Sequence, residues 1–256
     1  MRRPAPRSAA QTKTSKPNGV SLARALSKLG IASRTQAVLL IEEGRVAVNG
    51  RVTRNPNQRL DMNVDTLTLD GKPLSTQPRR YIALNKPRGL VTTTRDEKGR
   101  QTVYACLKDA DKQLSPVGRL DMASEGLLLF TNDTRWAQQI LDPESHLPKT
   151  YHVQIDRLLN QAEVQRLATG IELEPGVITR PAEVTLLRAG EKTCWLEITL
   201  HEGLNRQIRR MLETIGAEVL RLIRIRIGPV ELGDLAKGET RALSETEVEQ
   251  INRHYY

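Results

Sequence analysis

The chain of 256 residues carries 39 Lys and Arg against 30 Asp and Glu, a formal net charge of +9, and 38% of its residues are hydrophobic. That apolar fraction supports a folded core and excludes global disorder, and the length suits two domains. No run approaches the roughly 18 apolar residues of a membrane span, and no apolar signal core opens the chain, so a soluble, cytoplasmic protein is expected.

The charge is unevenly placed. Residues 1–60 hold twelve basic and two acidic side chains, whereas the other 196 residues hold 27 and 28. The excess at the front of the chain points to a polyanion, and nucleic acid fits better than a membrane because no amphipathic or lipidation signal accompanies it. Cys106 and Cys194 stand alone without a CxxC partner. They read as small buried thiols, which argues against a disulfide framework or a metal cluster.

In chain order, residues 1–17 (MRRPAPRSAAQTKTSKP) are basic, rich in Pro, Ser and Thr, and aperiodic. They read as a disordered tail. Ser21 is positioned to cap a helix whose Leu22, Ala25, Leu26 and Leu29 fall on one face, closed by Gly30. Ser33 and Gln36 have capping-box spacing for a second helix ending at Gly44. Val46 and Val48, the Asn49-Gly50 pair and Val52 predict a hairpin. A further alternating run, 64–69, meets Asp70-Gly71. These elements define a small helix–helix–strand domain over 18–75, followed by a linker over 76–80.

The remainder, 81–256, mixes the two kinds of element. Strands are expected at 81–84, 90–94, 127–131, 151–155, 184–187, 194–200 and 220–227, and helices near 134–141, 161–169 and 205–215, with Ser244 capping a last one. Because strands and helices do not alternate strictly, the fold class is α+β with a mixed, mainly antiparallel sheet and flanking helices.

The first domain presents Arg24 and Lys28 opposite its leucines, Arg34 at a helix start, and Arg45, Arg51 and Arg54 around the hairpin. Any one arginine is an ordinary solvated residue, but the set, almost free of acids, forms a surface for phosphates. The stretch LARALSKLGIASRTQAVLLIEEGRVAVNGRV closely resembles the alpha-L RNA-binding motif, first described in a ribosomal small-subunit protein. That resemblance implies docking on structured RNA by shape and backbone.

In the second domain, SPVGRLDMASEGLLLFTND places Asp121 two residues after Arg119 and just before an apolar run. EGLNRQIRRM packs Arg206, Arg209 and Arg210 around a helix start, where free N–H groups favour anions. KTYHVQI supplies Lys149 and Tyr151, and RLIRIRIG alternates cations with apolar residues as a strand with one core face and one basic stripe would. Together they suggest one carboxylate among many cations with an aromatic platform, a setting for chemistry on a flipped-out nucleotide.

The blocks PVGRLDMASEGLLLFTND, YIALNKPRG, KTYHV and EGLNRQIRRM resemble the ribosomal RNA pseudouridine synthases of the RsuA family, from about residue 19 to the C-terminus. The resemblance implies that Asp121 is the nucleophile of uridine-to-pseudouridine isomerisation. It further implies that Tyr151 stacks on the base and helps remove the C5 proton, and that Arg209 pairs with the nucleophile. Arg119 would fill the gap left by the flipped base, and Leu222 would pack below the uracil. Lys149, Asn205, Arg206, Gln207 and Arg210 join them as substrate-binding candidates. Position 204 is Leu where many relatives have Arg or Lys, which bears on the choice of target uridine. The four histidines read as structural or surface groups. No cofactor or metal is expected for an isomerisation without redox change or net hydrolysis. The expected partner is ribosomal RNA, large- or small-subunit, and the expected state a monomer. The alternative is an RNA- or ribosome-associated binding protein built on an inactive synthase platform; a DNA-binding regulator has no recognition helix to support it.

If the front domain holds phosphates, deleting residues 1–75 weakens RNA binding and flattens its salt dependence by about 0.7–0.9 in log–log slope per lost contact. Affinity titrations across a salt series check this.

Overall fold

The computed structural model describes residues 19–62, 64–74, 78–94 and 96–254. The tail expected over 1–17 lies outside them. The chain divides into two compact units, Met1–Gln77 and Pro78–Tyr256. Residues 78–80, read from sequence as linker, fall in the second unit, where Arg79 pairs with Asp133 and Arg80 with Asp111 at 3.2 and 2.7 Å.

The first unit runs β1 (Val20–Ser21), α1 (Leu22–Lys28), α2 (Arg34–Glu42), β2 (Val46–Val48), β3 (Arg51–Val52), β4 (Arg59–Leu60), β5 (Leu67–Leu69) and β6 (Lys72–Pro73). The leucines of α1 are buried together with Ala37 and Ile41 of α2, Val46, Leu60 and Leu67. Ser33 and Gln36 form the expected capping box. Asn49 and Gly50, and again Asp70 and Gly71, all have positive φ. Two such residues in succession make a type I′ turn, whose twist matches the strands it joins. The strands order β3-β2-β5-β6, and β1 pairs with β4. The alternation expected over 64–69 shortens to β5 because Asp65 is occupied in the preceding loop, accepting from Asn49 Nδ2 and Asp61 N, both at 2.7 Å.

The second unit runs β7 (Tyr81–Lys86), β8 (Ser115–Val117), β9 (Glu125–Thr131), α3 (Thr134–Leu141), β10 (Lys149–Ile155), α4 (Gln161–Thr169), β11 (Glu172–Glu174), β12 (Val177–Ile178), β13 (Glu183–Ala189), β14 (Cys194–Leu200), α5 (Gln207–Glu213), β15 (Val219–Ile227), β16 (Val230–Glu231), β17 (Thr240–Ala242) and α6 (Glu245–His254). Nine of these strands form one sheet with the path β13-β14-β10-β15-β9-β7-β17, where β8 adds to β9 and β16 to β15. All its pairings are antiparallel except β9 with β15. This is the α+β class expected. The β11–β12 hairpin stands apart.

Every residue of β9 is buried. Leu127 and Leu129 pack with Trp136 and Ile140 of α3 and Ile251 of α6, while Leu128 and Phe130 pack with Leu84, Val103 and Leu114. Being covered on both sides explains its unbroken apolar sequence, and each such burial is worth about 1.5–3 kcal/mol. Asp133 caps α3 through the N–H groups of Arg135 and Trp136, and Asn160 and Glu163 form a capping box on α4. The strand expected over 90–94 is instead irregular, with one bridge between Val91 and Thr102.

Lys86, Gly126, Arg224, Tyr151 and Ile198 are direct partners on successive strands β7, β9, β15, β10 and β14. Opposed residues project to one face, so this row places Lys86, Arg224 and Tyr151 side by side. Gly126 is required in it. Its φ is +99°, and a Cβ there would stand 2.2 Å from the Arg224 carbonyl oxygen. Gly126→Ala is therefore expected to destabilise the protein by at least about 1–3 kcal/mol, the cost of the backbone strain alone. Urea denaturation of the full chain measures it.

Candidate active site

Asp121 lies in the loop between β8 and β9, held from both sides. The Thr92 hydroxyl donates to the Leu120 carbonyl at 2.8 Å and accepts from its N–H at 3.3 Å. Gly89 N–H donates to Met122 O at 2.7 Å. The Asp121 carbonyl accepts from Ser124 N–H at 3.0 Å and from Lys86 Nζ at 3.2 Å. Lys86 Nζ also donates to Ser124 O at 2.8 Å and Pro87 O at 3.1 Å. The lysine is wholly buried. Burial pushes its ammonium down to about 8, opposed by the nearby Asp121 and Glu125 carboxylates. It is therefore charged at neutral pH, with three carbonyls replacing water. Glu125, at the start of β9, is itself pinned by Arg221 at 3.2 Å and by Lys237 at 2.5 Å.

These contacts occupy the backbone of the loop and leave the Asp121 side chain facing a cleft of about 430 Å³. The Asp121 side chain is 41% exposed, and Arg206 Nη1 approaches its carboxylate at 3.5 Å. Tyr151, Arg119, Lys149, Leu204, Asn205 and Arg224 line the same cleft. Lys149 donates to Leu147 O at 3.1 Å, and burial, reinforced by neighbouring Arg224, pushes its ammonium down to about 8. Arg206 adopts a left-handed backbone, φ 49°, just before α5.

Six sequence-derived candidates thus converge: Asp121, Tyr151, Arg119, Lys149, Asn205 and Arg206. Arg209 sits behind the loop rather than on the carboxylate. It donates to Val219 O at 3.2 Å and Ala123 O at 3.4 Å, and its Nε is buried without a partner. Burial and the charge of Arg206 lower its basicity, and Asp121 opposes them. The ion-pair partner of Asp121 is Arg206, not the Arg209 expected from the resemblance. Leu222 is buried in the core with Val153 and Met211. Gln207 turns inward to Glu202 at 2.6 Å, and Arg210 pairs with Glu174 at 3.3 Å.

The cationic stripe expected in 221–228 does not form. Arg221 bonds Glu125, Arg226 approaches the Thr150 hydroxyl, and Arg224 is buried in the cleft wall. Sequence reasoning also missed Lys86, whose signal was a lysine closing an apolar strand directly before a proline. Two histidines read as scattered, His146 and His201, both line the cleft, and His201 Nδ1 lies 3.3 Å from the His146 carbonyl. Cys194 is buried as expected and donates to Arg157 O, but Cys106 is only partly covered.

In the first unit, Arg24, Arg34, Arg51 and Arg54 are exposed and Lys28 partly so. Arg45 is committed elsewhere. It makes a two-pronged pair with Asp70 at 2.9 and 2.6 Å and meets Glu43 at 3.5 Å, so its charge is largely neutralised within the domain.

Comparison with known proteins agrees with this architecture. Residues 80–214 match the RNA pseudouridylate synthase family, and residues 20–65 match the S4 domain. An RNA pseudouridine synthase of Aquifex aeolicus is 42% identical over 91% of this chain and 93% of its own length. Ribosomal large subunit pseudouridine synthase B of Bacillus subtilis is 36% identical over 90% and 94%. A crystal structure of a pseudouridylate synthase superposes with a TM-score of 0.67 at 28% identity, covering 91% of this chain and 99% of that one. The chain belongs to the RNA pseudouridine synthase family. It is an enzyme of RNA modification that carries an S4 domain ahead of its catalytic unit.

Lys86→Met removes the donor to three carbonyls, with an expected loss of about 1–3 kcal/mol at neutral pH. The pH dependence identifies the cause. The folded lysine releases its proton near 8, below the unfolded value of 10.5, so it binds fewer protons than the unfolded chain in that window. Wild-type stability should therefore rise relative to the variant as pH increases from about 8 to about 9.5. Urea titrations of both proteins across that range check the sign.

Proposed function

We propose that the enzyme isomerises particular uridines of ribosomal RNA, with Asp121 as the nucleophile. The observation carrying this reading is that hydrogen bonds hold the loop by its backbone while its one carboxylate, met by Arg206 at 3.5 Å, faces a cleft shared with an aromatic ring and several cations. A nucleophile must reach the sugar of an extruded nucleotide, and a fixed loop with a loosely paired side chain is built for that. Tyr151 supplies a face for the base, while Arg119 and Arg206 at the cleft supply charge for the RNA backbone and for the space the base leaves.

In the reaction, the N1–C1′ bond breaks, the uracil turns within the cleft, and C5 bonds to C1′. C5 loses its proton, with the Tyr151 hydroxyl assigned to assist, and N1 gains one. Atoms and oxidation level are conserved, so the chemistry calls for neither an oxidant nor a hydrolytic water. The exposed Arg24, Arg34, Arg51 and Arg54 suit the first unit to the backbone of folded RNA. The named function of the Bacillus subtilis relative favours the large-subunit RNA as substrate. The binding-only alternative has less support, since it leaves the loosely paired carboxylate that shares a cleft with Tyr151 without a role.

Asp121→Ala should abolish pseudouridine formation in ribosomal RNA while leaving RNA affinity within a few-fold of wild type. Pseudouridine mapping and affinity titration test the two halves. Pseudouridine still formed by that variant removes Asp121 from the chemistry.

A further inference from the structure

The cleft contains a cation that the reading above leaves without a task. Arg224 is 5% exposed, yet it lines the cleft with Asp121 and Tyr151. Its Nε donates to the Leu127 carbonyl at 2.8 Å, which fixes the plane of the guanidinium. One terminal nitrogen, Nη2, is buried and has no hydrogen-bond partner. Among the described residues no carboxylate pairs with Arg224; the acids nearby are engaged elsewhere, Glu125 by Arg221 and Lys237, and Asp121 by Arg206. A buried guanidinium N–H left unmet costs about 1–3 kcal/mol or more for a charged group, so a site that keeps one has a use for it when filled.

Its position says which part of an RNA would fill it. Arg224 is the direct cross-strand partner of Tyr151 and lies two residues beyond Leu222 on the same strand. It therefore sits beside the ring proposed to stack on the base, in the inner wall. The exposed Arg119 and Arg206 are the cations better placed for the RNA backbone. A donor beside the stacking ring meets the edge of the base, and the acceptors on a uracil edge are its carbonyl oxygens.

We infer that Arg224 binds a carbonyl oxygen of the extruded uracil and stabilises the negative charge the base carries once it has left the sugar. This rests on the proposed function. When the N1–C1′ bond breaks, its electron pair stays on the base, spread over N1 and the two carbonyl oxygens, while an Asp121 oxygen bonds to C1′. When C5 attacks C1′, the base supplies the pair for the new bond and the Asp121 oxygen–C1′ bond breaks, which restores the carboxylate. C5 then loses its proton and N1 takes one up. The anion exists only between these two events, and a fixed guanidinium buried in the cleft wall acts most strongly there. Arg224 is thus assigned as a catalytic residue, distinct from the nucleophile and from the stacking ring.

The test uses the full-length enzyme with in vitro transcripts of large- and small-subunit ribosomal RNA, made with either uridine or 5-fluorouridine. Fluorine withdraws electron density and stabilises the departing base, so less charge is left for the arginine to carry. Single-turnover formation of the C-glycoside, read by nucleoside mass spectrometry, gives the rate on each; on 5-fluorouridine C5 has no proton to lose, so that product keeps its fluorine at C5 and takes up water across N1 and C6. Arg224→Met should slow the uridine reaction by about 100-fold and the fluorouridine reaction by only about 10-fold, in keeping with loss of one charge-stabilising donor. Arg224→Lys keeps the charge and should fall between wild type and Arg224→Met on uridine, which separates charge from packing even if the methionine variant folds poorly. Equal losses on both transcripts, or an unimpaired Arg224→Met, would overturn the assignment; equal loss is also what phosphate binding or a purely structural role predicts. A wild-type enzyme that forms no C-glycoside on either ribosomal RNA would instead remove the ribosomal substrate, a separate failure.

Discussion

A charged ammonium without water holds this active site together. Lys86 is wholly buried, and the carbonyls of Pro87, Asp121 and Ser124 take the place of its hydration shell. Carbonyls can perform that service only if they converge, so the lysine imposes a shape on the loop that carries Asp121. The loop cannot relax without withdrawing two of these acceptors and stranding a charge. The residue that must be precise is thereby held by its main chain, and its carboxylate remains available.

The same constraint explains why glycine stands at 126. It lies between Lys86 and Arg224 in the row across the sheet, and the Arg224 backbone passes where its Cβ would be. Absence of a side chain lets β15 approach β9 in the one parallel pairing of the sheet. That approach sets Arg224 next to Tyr151 and in the wall of the cleft. Two strands from opposite ends of the catalytic unit thus bring their buried cations to either side of one missing side chain.

The cleft as a whole is an excess of cations around a loosely held anion. Arg206 reaches Asp121 only at 3.5 Å, a weak pairing between groups that both remain partly exposed. Such a contact is easily exchanged for RNA phosphates. The interior charges differ in kind: Lys86, Arg209 and Arg224 bond backbone carbonyls and do not depend on the Asp121 carboxylate for their place. Surface cations can therefore rearrange around an incoming nucleotide while the buried ones keep the loop and wall fixed.

Much of this was legible beforehand where the signal is local. The capping box at Ser33 and the Asn-Gly and Asp-Gly turns act through neighbouring backbone atoms, so sequence alone determined the two helices and the tight turns of the first domain. The GRLD block and the tyrosine of KTYHV identified the family and three residues of the cleft, Arg119, Asp121 and Tyr151. Periodicity failed where the tertiary structure assigned a side chain to a distant partner. Thr92 bonds Leu120 instead of extending a strand, and RLIRIRIG sends its three arginines to three separate acceptors. The exchange of Arg209 for Arg206 beside Asp121 has the same origin, since the left-handed turn at Arg206 and burial behind Ala123 are decided by packing. Local hydrogen bonding is written in adjacent residues, whereas Lys86 and Arg224, 138 positions apart in number, acquire a common role only when the sheet places them across Gly126.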